Sequence, residues 1–418
     1  MTAVAIIGGG HIGKTLLADL LSRPGSTVRS ARLLFFRSPG AAIKAEIAEW
    51  CGPIEFNEQL VGLHKPVVFR ERHFGSLWDE GGRETLELAD VIIVTLPDIP
   101  RVRLELLDCL CGKVDLSDKT LVLMRAGQAG QPVIAHRARF DSALRDSHVF
   151  LVEDAFYGSR AAHRRIDAKC KHSVNVAIYS RAPQRPLQQL RGLFPPMPGT
   201  HVPSWPDFKV KRGIELLFDP LGYIVHVGIA LWPANLARTR QNIAYNHYVG
   251  GVDRELAAVL DALDHERVAL AAAYGVAAES FPQILHRQYR LPVLSDFYAM
   301  MQSCKVIYRS MSAGSVAELR RSRYVHEDIP ALETISWLAG NVGLTLTETA
   351  ALRRSVPGRL ASVGIDPDIA GSYRAQLHMI DPDPDSICDL LTQPHQPDPA
   401  PETLSDAELP LHAFRGDP

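Results

Sequence analysis

Cysteine is scarce in this chain and carries no pattern. The six present (Cys51, Cys109, Cys111, Cys170, Cys304 and Cys388) form no C-x-x-C pair. Such spacing excludes the familiar zinc frameworks and a disulfide scaffold, and no metal site is expected. Scattered thiols in a chain of 418 residues fit a reducing, cytoplasmic compartment. No run approaches the ~18 apolar residues of a membrane span. No basic stretch precedes the first apolar segment, so a signal peptide is not expected. The net charge is only −2 and there is no polybasic block, so neither nucleic acid nor an anionic membrane is an expected partner.

What is present begins at the N-terminus. Val4-Ala5-Ile6-Ile7 runs directly into Gly8-Gly9-Gly10-His11-Ile12-Gly13, which has the form G-x-G-x-x-G. An amphipathic segment carrying Leu16, Leu17, Leu20 and Leu21 follows, so the order is strand, tight turn, helix. In that context Gly8 permits the turn, Gly10 admits a pyrophosphate, and Gly13 lets helix and strand pack closely. His11 and Ile12 stand at the helix entry, where free N–H groups and the positive dipole end attract phosphate. A dinucleotide site is therefore expected here.

The first half alternates strand and helix signals. Strands are expected at 31–36, 90–97, 121–124 and 149–152, with a helix at 41–50. This is the pattern of a doubly wound, Rossmann-type parallel sheet, whose ligands bind at the carboxyl ends of the strands. Thr95, Leu96 and Pro97, and the segment 125–130, should therefore border the cofactor. Prolines 195, 196, 198, 203 and 206 punctuate a boundary. Beyond it the patterns are helical, best seen from Asp253, a natural N-cap, to Gly275, a natural C-cap. We expect a dinucleotide-binding domain over 1–202, an all-α domain over 203–385 and a proline-rich, flexible tail over 386–418.

The end of the second strand selects the cofactor in such sheets. An acid there binds the ribose hydroxyls of NAD, whereas an arginine accepts the 2′-phosphate of NADP. The strand ends Phe36-Arg37-Ser38, and the nearest acid is Glu46. Arg37 and Ser38 therefore point to NADP (NADPH) over NAD.

Two segments in the second half hold candidate chemistry. His226 lies inside the apolar run Gly222-Tyr223-Ile224-Val225-His226-Val227-Gly228. A buried histidine titrates near neutral pH and can pass the proton that accompanies a hydride; it can equally be a satisfied core residue. The second segment is Arg321-Ser322-Arg323-Tyr324-Val325-His326-Glu327-Asp328-Ile329-Pro330, where dense charge stops at the entry to a helix. By itself that segment reads as a solvated helix start.

Taken together, these features resemble the opine dehydrogenases of the octopine/nopaline group over roughly residues 3–352. The resemblance is carried by G-G-G-H-I-G, D-V-I-I-V-T-L-P, Gln128-Ala129-Gly130 and the V-H pair. It is also carried by Tyr248 to Asp253, by Asp264, Glu266 and Arg267, and most specifically by R-Y-x-x-E-D-I-P. It implies an NAD(P)-dependent oxidoreductase acting on CH–NH bonds, with a helical domain of the 6-phosphogluconate dehydrogenase-like plan. An α-keto acid and the amino group of an amino acid or amine would form an imine, which is then reduced. His226 would be the acid/base, Asp328 would hold its ring, Arg323 would bind a substrate carboxylate, and Gln128 would contact substrate. Arg37-Ser38 resembles the NADP-using members, some of which build metallophores; a homodimer is compatible with the resemblance. Two other readings remain open. One is a ketopantoate reductase-like enzyme using a lysine such as Lys209, Lys211 or Lys305; the other is a dinucleotide-binding module without turnover.

Overall fold

The computed structural model describes residues 1–36, 40–59, 63–128, 130–197, 200–307 and 312–393. Arg37 and Ser38, on which the cofactor choice rested, and Ala129 lie outside the described residues.

Among the described residues, twelve strands precede the helical half. They are β1 (Thr2–Ile7), β2 (Val28–Phe35), β3 (Gly52–Glu58), β4 (Leu63–Phe69), β5 (Phe74–Ser76) and β6 (Val91–Val94). They continue as β7 (Thr120–Leu123), β8 (His148–Val152), β9 (Tyr157–Ala162), β10 (Arg165–Cys170), β11 (Ser173–Tyr179) and β12 (Asp207–Val210). Eight form one sheet in the order β12-β11-β8-β7-β6-β1-β2-β5. From β5 to β8 all neighbours are parallel, and β11 joins β8 antiparallel. The strand order reverses beside β1, so the crevice for a ligand opens between the carboxyl ends of β1 and β6.

Burial on both faces explains why the central strands read as unbroken apolar runs. Val4, Ile6, Leu33, Val91, Ile93 and Val122 enter one core with the helix residues Leu16, Leu17 and Leu20. Ala5, Ile7, Leu34, Ile92, Val94 and Leu121 enter the other. That second core runs without a break into the helical half, through Ile224, Leu260, Leu263 and Leu332.

The described structure departs from the expected domain map in three places. A four-stranded sheet, β4-β3-β10-β9, lies outside the main one and was not foreseen. Its strands alternate buried and exposed residues, as in Ile54 and Phe56 against Pro53 and Glu55, so they leave no long apolar run to read. The main sheet also passes residue 202, because β12 pairs with β11. Finally, residues 386–392, placed in the flexible tail, belong to the helix Pro384–Thr392, which is capped by Asp383 and buries Ile387, Leu390 and Leu391. Residues 394–418 lie outside the described residues.

The long helix forms where its signals put it, as Arg254–Ala273, with the Asp253 carboxylate accepting from Leu256 N at 2.7 Å. Within it Asp264 and Arg267 have a structural use. Buried Arg267 donates to Asp264 at 2.7 Å and to the Phe218 and Glu279 carbonyls. Glu266 accepts from the backbone N–H groups of Glu348 and Thr349, so it caps the helix Thr347–Ala361.

Candidate active site

A cavity of about 800 Å³ opens where the carboxyl ends of β1, β6 and β7 face the helical half. Its wall includes Gly10, His11, Ile12, Thr95, Pro97 and Gln128 from the sheet side, and His226, Tyr248, Arg323 and Asp328 from the helical side. The sequence-predicted residues of both halves thus meet in one space.

The glycine turn has the shape a dinucleotide needs. Gly8 sits at φ +121°, a conformation that favours glycine, and a Cβ on Gly13 would overlap the Gly8 carbonyl. Above Gly10 there is open space, with nothing within 4 Å of a Cβ placed there. Gly10 is the N-cap of the helix His11–Ser22 and supplies no side chain to its first N–H groups. Those donors remain for an anion. Thr95 Oγ1 donates to the carbonyls of Ile7 and Gly8 at 3.1 Å, which ties the β6 end to the turn. Leu96 does not face the cavity; it packs on the core and against Gly8. The His11 ring is held by Ala161 of β9, whose N–H donates to Nδ1 at 3.0 Å. Gln128 is buried, and its amide nitrogen has no hydrogen-bond partner among the described residues.

His226 lies in a π-helical turn, Tyr223–Gly228, of the kind often found at functional sites. Its Nδ1 is 2.8 Å from Asp328 Oδ2, and both side chains are buried. Its Nε2 is 2.7 Å from Tyr248 Oη and 3.2 Å from Arg323 Nη2. A guanidinium only donates, so this geometry puts the ring proton on Nδ1, shared with Asp328, and leaves the Nε2 lone pair to Tyr248 and Arg323. Gly222 makes the carboxylate's approach feasible, because a Cβ there would overlap Asp328 Oδ1. Tyr324 stacks on two neighbouring imidazoles, His226 at 4.4 Å and His247 at 4.6 Å, which lie 5.9 Å from each other. Burial, and then the neighbouring His226, push His247 down to about 3, so at neutral pH His247 is uncharged.

Behind this group lies a network of charges that the sequence only partly announced. Arg125, at φ +57° just after β7, donates to Glu327 at 2.5 and 2.8 Å and to Asp154 at 2.8 Å. Lys171 holds the same Asp154 at 2.6 Å. Burial pushes Glu327 up to about 7, with Arg125 opposing and Asp328 adding to the rise. Burial likewise raises Asp98 to about 6. In Asp154 the cations win over burial and hold the carboxyl below its usual range. Arg125 was flagged only as part of a segment near the cofactor; Glu327 stood inside the E-D-I-P motif without a role.

Other candidates fall elsewhere. His326 is outside the cavity and bonds the Arg320 carbonyl. Lys209, Lys211 and Lys305 do not line the cavity either. Lys209 pairs with Asp207 at 2.6 Å, while the cavity-lining Lys169 bonds the Ile307 carbonyl. Tyr248 and Tyr324, which touch His226 directly, were not singled out for any role. Their only signal was an aromatic residue inside each of two motifs already marked.

Residues 209–354 match the family model of the NAD/NADP octopine/nopaline dehydrogenase α-helical domain. A solved octopine dehydrogenase with NADH and L-arginine superposes with a TM-score of 0.67. That match is 18% identical and covers 94% of this chain and 98% of the other. A solved apo yersinopine dehydrogenase gives a TM-score of 0.63 at 13% identity, covering 93% and 98%. A ketopantoate reductase from Ralstonia eutropha JMP134 gives 0.50 at 12% identity, covering 86% and 99%. These likenesses show the fold. No curated protein sequence matches the chain.

Proposed function

We propose, from the match of residues 209–354 to the α-helical domain of octopine/nopaline dehydrogenases, that this chain is an NAD(P)H-dependent opine dehydrogenase. It condenses an α-keto acid with the amino group of an amino acid or amine and reduces the resulting imine. The observation that carries this reading is the His226–Asp328 pair facing the same cavity as the glycine turn. A proton donor set beside a dinucleotide cradle is what reduction of a C=N bond requires.

When bound, the nicotinamide supplies a hydride to the imine carbon. The chain's own residues do the rest. Asp328 fixes the tautomer and orientation of His226. Arg323, beside Nε2, offers a fixed cation to a substrate carboxylate. Gln128 contributes its unpaired amide from the sheet side. Gly8, Gly10, His11, Ile12, Gly13, Thr95 and Pro97 would hold the dinucleotide, and Arg37 with Ser38 would favour NADPH. Six free cysteines support a reducing, cytoplasmic setting.

One relative has been solved with pyruvate and with L-arginine, and another complex holds agmatine. A pyruvate-like keto acid and a basic amino acid are therefore the first substrates to try. Product analysis tests the reading: keto acid, amine and NADPH together should yield a secondary amine whose mass equals the two parts joined, less water, plus two hydrogens. A 2-hydroxy acid as the sole product, formed without amine, would replace it with the keto-acid reductase reading. Against that alternative stands the absence of Lys209, Lys211 and Lys305 from the cavity wall.

A further inference from the structure

We infer that Arg160, on strand β9 of the small sheet, holds the diphosphate bridge of the dinucleotide and adds a fixed cation to the N–H groups of the glycine turn. This assignment rests on the dinucleotide half of the proposed function and not on the imine chemistry. It also gives the small sheet a use, because that sheet carries Arg160 to the cofactor.

The glycine turn is short of positive charge. A diphosphate carries one negative charge on each phosphate, whereas the N-terminus of the helix His11–Ser22 offers about half an elementary charge. Lys14, the cation nearest the turn in sequence, is engaged elsewhere. Its Nζ donates to the Gly9 carbonyl at 2.6 Å and to Glu46 at 2.5 Å, and it does not line the cavity. Among the described residues, the lysines and arginines that do line it are Arg125, Arg160, Lys169 and Arg323. Arg125 is held by Glu327 and Asp154. Lys169 donates to the Ile307 carbonyl, and Arg323 stands at His226 Nε2 in the helical half. Arg160 is left, with no hydrogen bond or ion pair at its guanidinium among the described residues. Asp167, its neighbour across β10, pairs with Arg165 at 3.0 Å instead.

The position of Arg160 is fixed from both sides. β9 is an edge strand of its sheet, and the residues flanking Arg160 are tied to the helix that follows the turn. Ser159 Oγ accepts from Thr15 Oγ1 at 2.9 Å, and the Ala161 N–H meets His11 Nδ1 at 3.0 Å. Tyr157 and Ala161 are buried, and strand alternation turns Arg160 to the other face. There it is exposed and lines the same cavity as Gly10, His11 and Ile12. Burial, and then the Arg160 charge, hold His11 below the ordinary histidine range, which sets that charge beside the turn. Nothing stands within 4 Å of a Cβ placed on Gly10, so phosphate oxygens have room at the turn. A guanidinium suits them, because its planar fork can meet two oxygens at once.

Arg160→Gln removes the charge from an exposed position and leaves the backbone bonds of β9 in place. We expect the Kd for NADPH, NADH and ADP-ribose each to rise about tenfold in calorimetric titration, the low end for a lost charge-assisted hydrogen bond. Arg160→Lys keeps the charge without the fork and should recover part of the loss. ADP-ribose lacks the nicotinamide and the 2′-phosphate but keeps the diphosphate, so its loss must match that of NADPH. A loss confined to NADPH would assign Arg160 to the 2′-phosphate and overturn the inference. Unchanged affinity for all three overturns it as well, and a raised KM for keto acid or amino acid would then assign Arg160 to a substrate carboxylate. If the wild type turns over no pair of keto acid and amine, the opine reading fails, while the titrations still decide on Arg160. If the wild type binds none of the three nucleotides, the dinucleotide site falls and the role of Arg160 with it.

Discussion

His226 has one nitrogen on a carboxylate and the other on a phenol and a guanidinium, and each contact constrains what the ring can do. Asp328→Asn keeps the shape but offers Nδ1 an amide that can donate as well as accept, so the tautomer is no longer fixed. We expect kcat to drop by about 100-fold or more, with dinucleotide affinity unchanged by fluorescence titration. His247 supplies a pH prediction. Its folded value of about 3 lies below the ordinary histidine value, so the unfolded chain binds the extra proton first. The stability it contributes is complete above about pH 6.5 and is lost as pH falls towards 3. Thermal midpoints of the wild type should therefore decline across that window more steeply than those of His247→Phe. Equal slopes would contradict the assignment. At this scale the sequence announced the histidine and the aspartate, because V-H in an apolar run and E-D-I-P before a helix are local patterns. It did not announce Tyr248, which lies in another segment and meets His226 only through the fold.

Among the elements, the π-helical turn Tyr223–Gly228 and the helix Asp328–Asn341 must approach closely for the pair to form. Gly222 permits it, since any Cβ there would overlap the Asp328 carboxylate. Gly222→Ala should therefore lower kcat at least tenfold by displacing Asp328, with the fold retained by circular dichroism. Full activity would show that the carboxylate has room to move. Elements were readable in proportion to their burial. β1, β6 and β7, covered on both faces, read as apolar runs, and the helix Arg254–Ala273 announced itself by its Asp253 cap. The small sheet β4-β3-β10-β9 did not, because its strands are half-exposed and one of its pairings joins β3 to β10, far apart in the chain.

Across the whole molecule, sheet and helices share one continuous core, and the site lies in the seam between them. Arg125 crosses that seam, from the end of β7 to Glu327 of the helical half. Arg125→Met would leave Glu327 buried beside Asp328 with only the more distant Arg323, 4.0 Å away, as a cation. Breaking a buried pair in this way should cost about 3 kcal/mol in urea unfolding, and adding Glu327→Gln should recover part of it. No recovery would mean that Arg125 acts through packing alone. The central claim is that the seam joins two substrates before reducing them. Its most direct test is the initial rate of NADPH oxidation by the wild type, with an α-keto acid panel alone and with amino acids added. The account predicts oxidation only when keto acid and amine are both present. Oxidation at the same rate with keto acid alone would contradict it.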